Sequence, residues 1–411
     1  MNKQLAMKQH GDVDCQPSED DFNDLSPKAV NRIWHSVKRV YKSGDHPSVS
    51  FCLRRNGHIV INRTLGYTKK CGFDDNTPSL VKVTPATPVN MFSASKAITA
   101  ILLHHLVEQG AVDLDRPVSF YVREFGKHGK GNITLADVLS HRGGFPLLGL
   151  DPGATEDVAL ISDWDWAVKR ICGRPADLHG KLAYHAISAG YILGEVIQRV
   201  SAQPLNEYLD TVLRKPLGMN YFTFGLAQEH HSLFAHSASV GKPLGTLETR
   251  FVNRIIEAKF ETLVDHTNEE RNLNSVIPAG NLFATAEEMS RFYQMLLDKG
   301  LYKGDQILKP ETVDRFVRPV GRAAFDRTML MPMRYSRGAM LGGEPYGVFG
   351  PNSSRAFGHL GFTNILTWAD PDRSISCSIL STGKSLVGSH LISFFRLLNS
   401  IARECPIQSA Y

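Results

Sequence analysis

Apolar residues recur every three to four positions along most of the chain, and in the C-terminal third the period shortens toward two. After Ser26-Pro27, the spacing of Val30, Ile33, Trp34, Val37 and Val40 predicts a helix with Ser26 as cap and Pro27 in its first position. Residues 49–54 and 58–62 read as two strands, and Asn56-Gly57 between them is a hairpin signal. Pro88 closes a loop (residues 74–88). Then Ile98, Ile101, Leu102, Leu103, Leu106 and Val107 mark an apolar helix that Asn90 or Ser93 caps and Gly110 ends. Further helices are predicted over residues 132–141, 163–170, 183–197 and 205–213, the first capped by Thr134 with Asp137 at N3. Residues 225–275 carry the weakest pattern, with one helix over 250–263. Thr285 and Glu288 form a capping box ahead of Phe292, Tyr293, Met295, Leu296 and Leu297, and a short helix starts at Pro310. Strands follow at 346–349, 364–369 and 374–380, the last two joined by a turn at Asp370–Arg373, and a final helix runs from about Leu386.

This order predicts an α/β (α+β) fold, with a mainly antiparallel sheet built from both ends of the chain and flanked by helices. The expected units are a flexible tail over residues 1–25, a sheet with its helices over 26–88 and 301–411, and an inserted, mostly helical domain over 89–300. The active site is expected between the last two.

Composition removes several function classes. The 411 residues are 42% hydrophobic and 21% charged, ordinary for a globular protein, and the formal net charge is only +5. No Arg/Lys stripe with interleaved aromatics is present, which argues against a nucleic-acid partner. No apolar run reaches the roughly 20 residues of a membrane span. The first residues have no apolar signal core, so the expectation is a cytoplasmic chain with reduced thiols. The six cysteines are scattered, and His230, His231 and His236 lack cysteine partners, so neither set suggests a metal site. Ser381-Thr382-Gly383-Lys384-Ser385 imitates the end of a phosphate loop, but Ser378 stands where that loop needs glycine. No metal or organic cofactor is expected.

Three stretches carry chemistry. Ser93 and Lys96 lie three residues apart in the first turns of a helix, hence on one face, where a hydroxyl and an amine can serve as nucleophile and base. Burial lowers a lysine pKa, and the helix N-terminus favours the neutral amine. Ser95 competes but points elsewhere. Tyr184 and His185 precede a run of small residues that lets the helix approach a neighbour; a phenol beside an ammonium is expected to hold a depressed pKa and shuttle protons. In Phe357-Gly358-His359-Leu360-Gly361-Phe362, the glycines allow close backbone approach, and N–H groups there can face a developing oxyanion.

Together these stretches resemble the serine β-lactamase and penicillin-binding-protein superfamily, in particular its class C-like branch and the family VIII esterases. Ser93-Ala94-Ser95-Lys96 is similar to the family's Ser-x-x-Lys, Tyr184-His185-Ala186 to its Tyr-x-Asn, and His359-Leu360-Gly361 to its Lys-Thr-Gly. Leu139-Ser140-His141-Arg142-Gly143-Gly144 resembles Leu-Leu-x-His-x-x-Gly, and the likeness covers residues 30–400. It implies a β-lactamase-like fold and a serine hydrolase in which Ser93, Lys96 and Tyr184 are catalytic. The N–H groups of Ser93 and Phe362 would bind the oxyanion, and His185, His359 and Gly361 the substrate. Ala186 cannot offer the amide of asparagine, and neutral His359 binds a β-lactam carboxylate weakly, so carboxylic esters are favoured. The expected partner is a small-molecule ester or amide. The alternatives are a β-lactamase or D-amino-acid peptidase/amidase, an acyltransferase, and a non-catalytic scaffold of the same fold. Residues 225–275 and 321–345 are candidate pocket walls; nothing in the sequence sets the oligomeric state.

Overall fold

A computed structural model describes residues 14–15, 24–43, 46–69, 80–151, 157–386 and 388–408. Most of the expected N-terminal tail, Cys71 and residues 74–79 of the loop before Pro88 lie outside them. Helix α1 (Pro27–Ser43) buries the apolar face set by Val30, Ile33, Trp34, Val37 and Val40. The Ser26 hydroxyl accepts from the Ala29 N–H at 3.2 Å. Strands β1 (Ser48–Arg55) and β2 (His58–Lys69) meet through Asn56 and Gly57 at φ +49° and +84°, the left-handed pair that suits strand twist. A 3₁₀ turn (Phe92–Ala94) leads into α2 (Ser95–Glu108), and α3 (Ser188–Ser201) packs against α2. Three helices follow: α4 (Thr246–Ile256), α5 (Phe260–His266) and α6 (Glu270–Leu273). Helix α7 (Ala286–Leu297) starts at the Thr285–Glu288 capping box. The C-terminal part holds a small hairpin, β3 (Ala324–Asp326) and β4 (Met331–Met333). After it come β5 (Met340–Leu341), β6 (Phe357–Leu360), β7 (Ile365–Asp370), β8 (Ile375–Ser381) and helix α8 (His390–Glu404).

The main sheet runs β2-β1-β8-β7-β6-β5 with every neighbour antiparallel; Leu80–Lys82 and Asp14–Cys15 also pair antiparallel with β2, so residues 14–15 of the expected flexible tail form a short edge strand. Both ends of the chain meet at β1–β8, where Phe51 lies opposite Ile379 and Leu53 opposite Cys377. Alternation along β1 decides the layers. Val49, Phe51 and Leu53 share an apolar core with α1 and α8. On the other face, Cys52 Sγ lies 3.1 Å from Ser290 Oγ on α7, and Arg54 Nε donates to the same oxygen at 3.1 Å. Arg32 and Glu404 pair at 2.9 Å and tie α1 to α8. No helix among the described residues is long and apolar enough to cross a membrane. Cys52, Cys172, Cys377 and Cys405 are buried and unbridged.

Several expectations need correction. The helix expected to be capped by Asn90 or Ser93 starts at Ser95 behind the 3₁₀ turn, and no side chain caps it. The helix expected from residue 183 starts only at Ser188, because the preceding backbone donors are taken elsewhere: Ala183 N–H by His141 O at 3.0 Å and Tyr184 N–H by Asp326 Oδ1 at 3.0 Å. The single helix over 250–263 is divided, since Glu257 turns left-handed (φ +52°) and its carboxylate takes the N–H groups of Leu148, Gly149 and Leu150. Only Tyr346–Gly347 of the strand at 346–349 forms, in a separate two-stranded piece, and Phe357–Leu360 joins the main sheet instead. The last helix starts at His390; upstream, Gly383–Lys384 pairs in parallel with Ala238–Ser239.

Candidate active site

The turn that presents Ser93 is held from both sides. Asn90 Oδ1 accepts from the Phe92 N–H at 2.9 Å, and Met91 N–H donates to Leu282 O at 2.7 Å. Phe92 sits at φ +47°, a left-handed conformation that costs a non-glycine residue roughly 1–2 kcal/mol. Ser95 stabilises it: its hydroxyl donates to Phe92 O at 2.5 Å and accepts from Leu282 N–H at 3.0 Å. Ser95 is therefore fully committed to the backbone, whereas the Ser93 side chain lines a cavity.

Lys96, one turn on, is buried. Its Nζ lies 2.9 Å from Ser93 Oγ and donates to Ala279 O at 3.0 Å. Desolvation holds its pKa well below the ordinary lysine range, so the neutral amine is favoured. Gly190 on α3 makes room for this: a Cβ there would stand 2.6 Å from the Ala279 nitrogen and Cβ.

Tyr184 lies on the irregular segment before α3; its side chain lines the same cavity as Ser93, and its ring is 5.0 Å from Lys96 Nζ. The expectation of a depressed phenol pKa is corrected here. Burial pushes it up, the Ser93 side chain opposes this in part, and the Asp326 charge adds to the rise. Burial thus favours the neutral phenol of Tyr184 and the neutral form of the Lys96 amine alike. Asp326, buried in β3, fixes the tyrosine backbone. Its Oδ1 accepts from the N–H groups of Tyr184 (3.0 Å), Thr328 (2.8 Å) and Met329 (3.0 Å), and its Oδ2 from the Tyr335 hydroxyl at 3.0 Å.

The third stretch comes alongside as β6. A Cβ on Gly361 would meet Met91 O at 2.7 Å and the Ile365 Cβ at 2.6 Å, so only glycine lets this strand end lie against the Ser93 turn. Gly361 and Phe362 line the cavity, and the Phe362 ring stacks on Phe92 at 5.5 Å. His359 does not line it: the residue is buried, Nδ1 lies 2.7 Å from Leu360 O, and burial lowers its pKa to about 3. His185 is likewise enclosed and neutral. Its Nε2 accepts from Phe145 N–H at 3.3 Å, and burial lowers its pKa to about 3. Ser93, Lys96, Tyr184, Gly361 and Phe362 thus come together at one place, and His185 and His359 stand behind them.

Three neighbours carry no role in the sequence reading. His141 packs at 4.7 Å against the Tyr184 ring and 4.8 Å against Tyr335, and its Nδ1 accepts from His185 N–H. Its histidine-glycine motif was visible in sequence, but not its position. Asp326 has no local signal, since it acts 142 positions from Tyr184. Lys384, in the stretch rejected as a phosphate loop, is fully buried with Nζ 4.5 Å over the Phe92 ring, donating to Ser381 O at 2.7 Å; burial lowers its pKa to about 7.

The cavity measures about 180 Å³. Phe251 and Ile255 of α4, Leu263 of α5, Ile277, Met329 and Phe362 form much of its wall, and among the described residues no lysine or arginine lines it. Residues 225–275 and 321–345 both contribute walls. Among the described residues no group of three or more His, Cys, Asp or Glu is arranged to hold a metal.

A family profile described as "Beta-lactamase" matches residues 33–394. The chain is 27% identical over 301 residues to the Mycobacterium tuberculosis protein named "Esterase/beta-lactamase LipL", covering 71% of this chain and 68% of that one. A solved family VIII carboxylesterase superposes with a TM-score of 0.75 at 21% identity, covering 92% of this chain and 98% of that one. A penicillin-binding-protein homologue from Caulobacter crescentus superposes with a TM-score of 0.74 at 22% identity, covering 93% and 99%. With Ser93 on the turn that opens a helix, buried Lys96 in that helix's first turn, an antiparallel sheet beside them and a profile match across most of its length, this chain belongs to the beta-lactamase family.

Proposed function

We propose that the chain is a carboxylic-ester hydrolase working through a Ser93 acyl-enzyme. The observation that carries the reading is the contact of Lys96 Nζ with Ser93 Oγ at 2.9 Å, made by an amine whose charged form burial disfavours. A neutral amine has a lone pair for the serine proton, and an ammonium does not. Ser93 Oγ attacks the ester carbonyl as its proton passes to Lys96. The oxyanion is held by the N–H groups of Ser93 and Phe362. Tyr184, a phenol that burial keeps protonated beside Ser93, gives its proton to the departing alkoxide and is reprotonated from Lys96. Water then enters, loses a proton through the same pair, and releases the acid. A second alcohol in place of water would make the step acyl transfer.

The apolar wall, free of lysine and arginine, supports uncharged ester substrates over carboxylated ones, because a buried carboxylate without a cation is costly. His185 and His359 shape the Tyr184 side of the site from behind. A second reading, β-lactam or amide hydrolysis, has support in the name of the mycobacterial relative, which couples esterase with beta-lactamase. Steady-state kinetics on p-nitrophenyl butyrate and on a carboxylated penicillin separate the two. The ester is expected to be turned over far more efficiently, and Ser93→Ala to lose turnover of it while remaining folded. Undiminished activity in purified Ser93→Ala overturns the mechanism, and preferential turnover of the penicillin overturns the ester assignment.

A further inference from the structure

The geometry points to the mouth of the cavity as a docking surface for an anionic lipid bilayer. Helix α4 carries Leu247, Phe251 and Ile255 four residues apart, on one face. Phe251 and Ile255 line the cavity, and Leu247, at the outer end of the same stripe, is 76% exposed. The opposite wall repeats the pattern. Met329 lines the cavity, while the next two residues, Leu330 and Met331, are exposed. Leu330 also stands at φ +54°, a left-handed conformation in which leucine is uncommon, at the turn of the β3–β4 hairpin. Phe325, on the outer face of β3 opposite in direction to buried Asp326, is 59% exposed. The apolar lining therefore continues out of the cavity on both sides and ends in solvent.

The fully exposed charges on α4 and at the hairpin are arginines, whereas α5, which lines the cavity through Leu263, exposes Glu261 and Asp265 on its other side. Arg250 and Arg254 on α4 and Arg322 and Arg327 at the hairpin are exposed. Arg254 Nη2 donates to Arg327 O at 3.5 Å, which joins the two walls at the rim. The acidic side chains on α4 and in the hairpin are Glu248, half-buried, and Asp326, buried and bonded to four donors. Exposed leucine, methionine and phenylalanine ringed by arginine match a surface whose headgroups are anionic and whose interior is apolar. A second copy of this chain would bring arginine against arginine and is disfavoured by the same charge. The inference does not rest on the acyl-transfer reading, since partition onto a bilayer is read without turnover and holds equally for Ser93→Ala.

The test is co-sedimentation of the full chain with phosphatidylcholine vesicles containing or lacking phosphatidylglycerol, at low and high salt. Binding to the anionic vesicles is expected, with loss in salt and little binding to the neutral ones. The triple variant Leu247→Ser, Phe325→Thr, Leu330→Asn is expected to bind at least tenfold more weakly while hydrolysing a soluble p-nitrophenyl ester at the wild-type rate. Asparagine is chosen at 330 because it tolerates the left-handed turn. The charge variant Arg250→Gln, Arg254→Gln, Arg322→Gln, Arg327→Gln is expected to abolish the preference for anionic vesicles and provides an independent readout. Absence of binding to anionic vesicles at low salt overturns the proposal, as does equal binding to neutral ones or binding unchanged in both variants. So does self-association that the triple variant removes without any vesicle binding, which would assign the patch to a second copy.

Discussion

Replacing Asp326 tests how the tyrosine is held. The side chain is buried and takes four hydrogen bonds, from the N–H groups of Tyr184, Thr328 and Met329 and from the Tyr335 hydroxyl, at 2.8–3.0 Å. Bonds to a charged acceptor are worth about 1.5–3 kcal/mol each, so their summed ceiling is about 6–12 kcal/mol. Water entering the vacated space and relaxation of the hairpin reduce this, and Asp326→Ala is expected to cost about 3–5 kcal/mol, at the upper end for single substitutions. Asp326→Asn keeps an oxygen for the three N–H groups, and the Tyr335 hydroxyl can rotate to meet the amide. Its expected cost is about 1 kcal/mol. Function should follow the same order. Tyr184 is anchored through its own N–H, so alanine at 326 frees the segment that aims the phenol at Ser93. If displacement removes about 1.4–2.8 kcal/mol of transition-state stabilisation, kcat falls about 10- to 100-fold. The assays are a urea unfolding titration and steady-state kinetics on p-nitrophenyl butyrate, for both variants. An Asp326→Ala protein with the wild-type urea midpoint and wild-type kcat refutes the reasoning, because the four bonds would then be worth nothing.

Other substitutions probe the remaining parts. Gly361→Ala places a Cβ 2.7 Å from Met91 O and is expected to cost about 1–3 kcal/mol and lower kcat more than it raises KM, as urea melts and kinetics would show. Ser95→Ala leaves the buried Leu282 N–H without its acceptor and Phe92 O without its donor, for a loss of about 1–3 kcal/mol measured by urea titration. The pH profile of kcat/KM tests the state of Lys96. Burial lowers its pKa, so the active amine persists below the ordinary lysine range near 10.4, and activity falls only as acidification protonates it. The limb should vanish with activity in Lys96→Ala; a profile that climbs only through the ordinary lysine pKa contradicts a buried neutral base.

What could be read from sequence was what short-range chemistry decides. The Asn56-Gly57 hairpin and the Thr134–Asp137 and Thr285–Glu288 capping boxes depend on residues at most three apart, and all three form. The pairing of Ser93 with Lys96 is of the same kind, since a helical turn alone brings them together. Tyr184 was misplaced because its backbone belongs to Asp326 and the 141–145 segment, and nothing near residue 184 encodes that. Its pKa differs from the expectation for a related reason: burial disfavours the ammonium that would have lowered it, and burial of the phenol itself is the larger effect. The helices over 246–273 were blurred by Glu257, whose left-handed turn is held by partners 107 to 109 positions away. His359 looked like a binding residue in a Gly-rich bend, but lies on a strand with its ring turned into the protein.

The central claim is that Ser93 carries the acyl group. Intact mass spectrometry of wild type and Ser93→Ala, quenched in acid during turnover of p-nitrophenyl butyrate, reads it directly. The account predicts a fraction of wild type heavier by one butyryl group, mapped by peptide digestion to Ser93, and no adduct on Ser93→Ala. Steady turnover without any adduct on a peptide containing Ser93, or an equal adduct on the alanine variant, contradicts it.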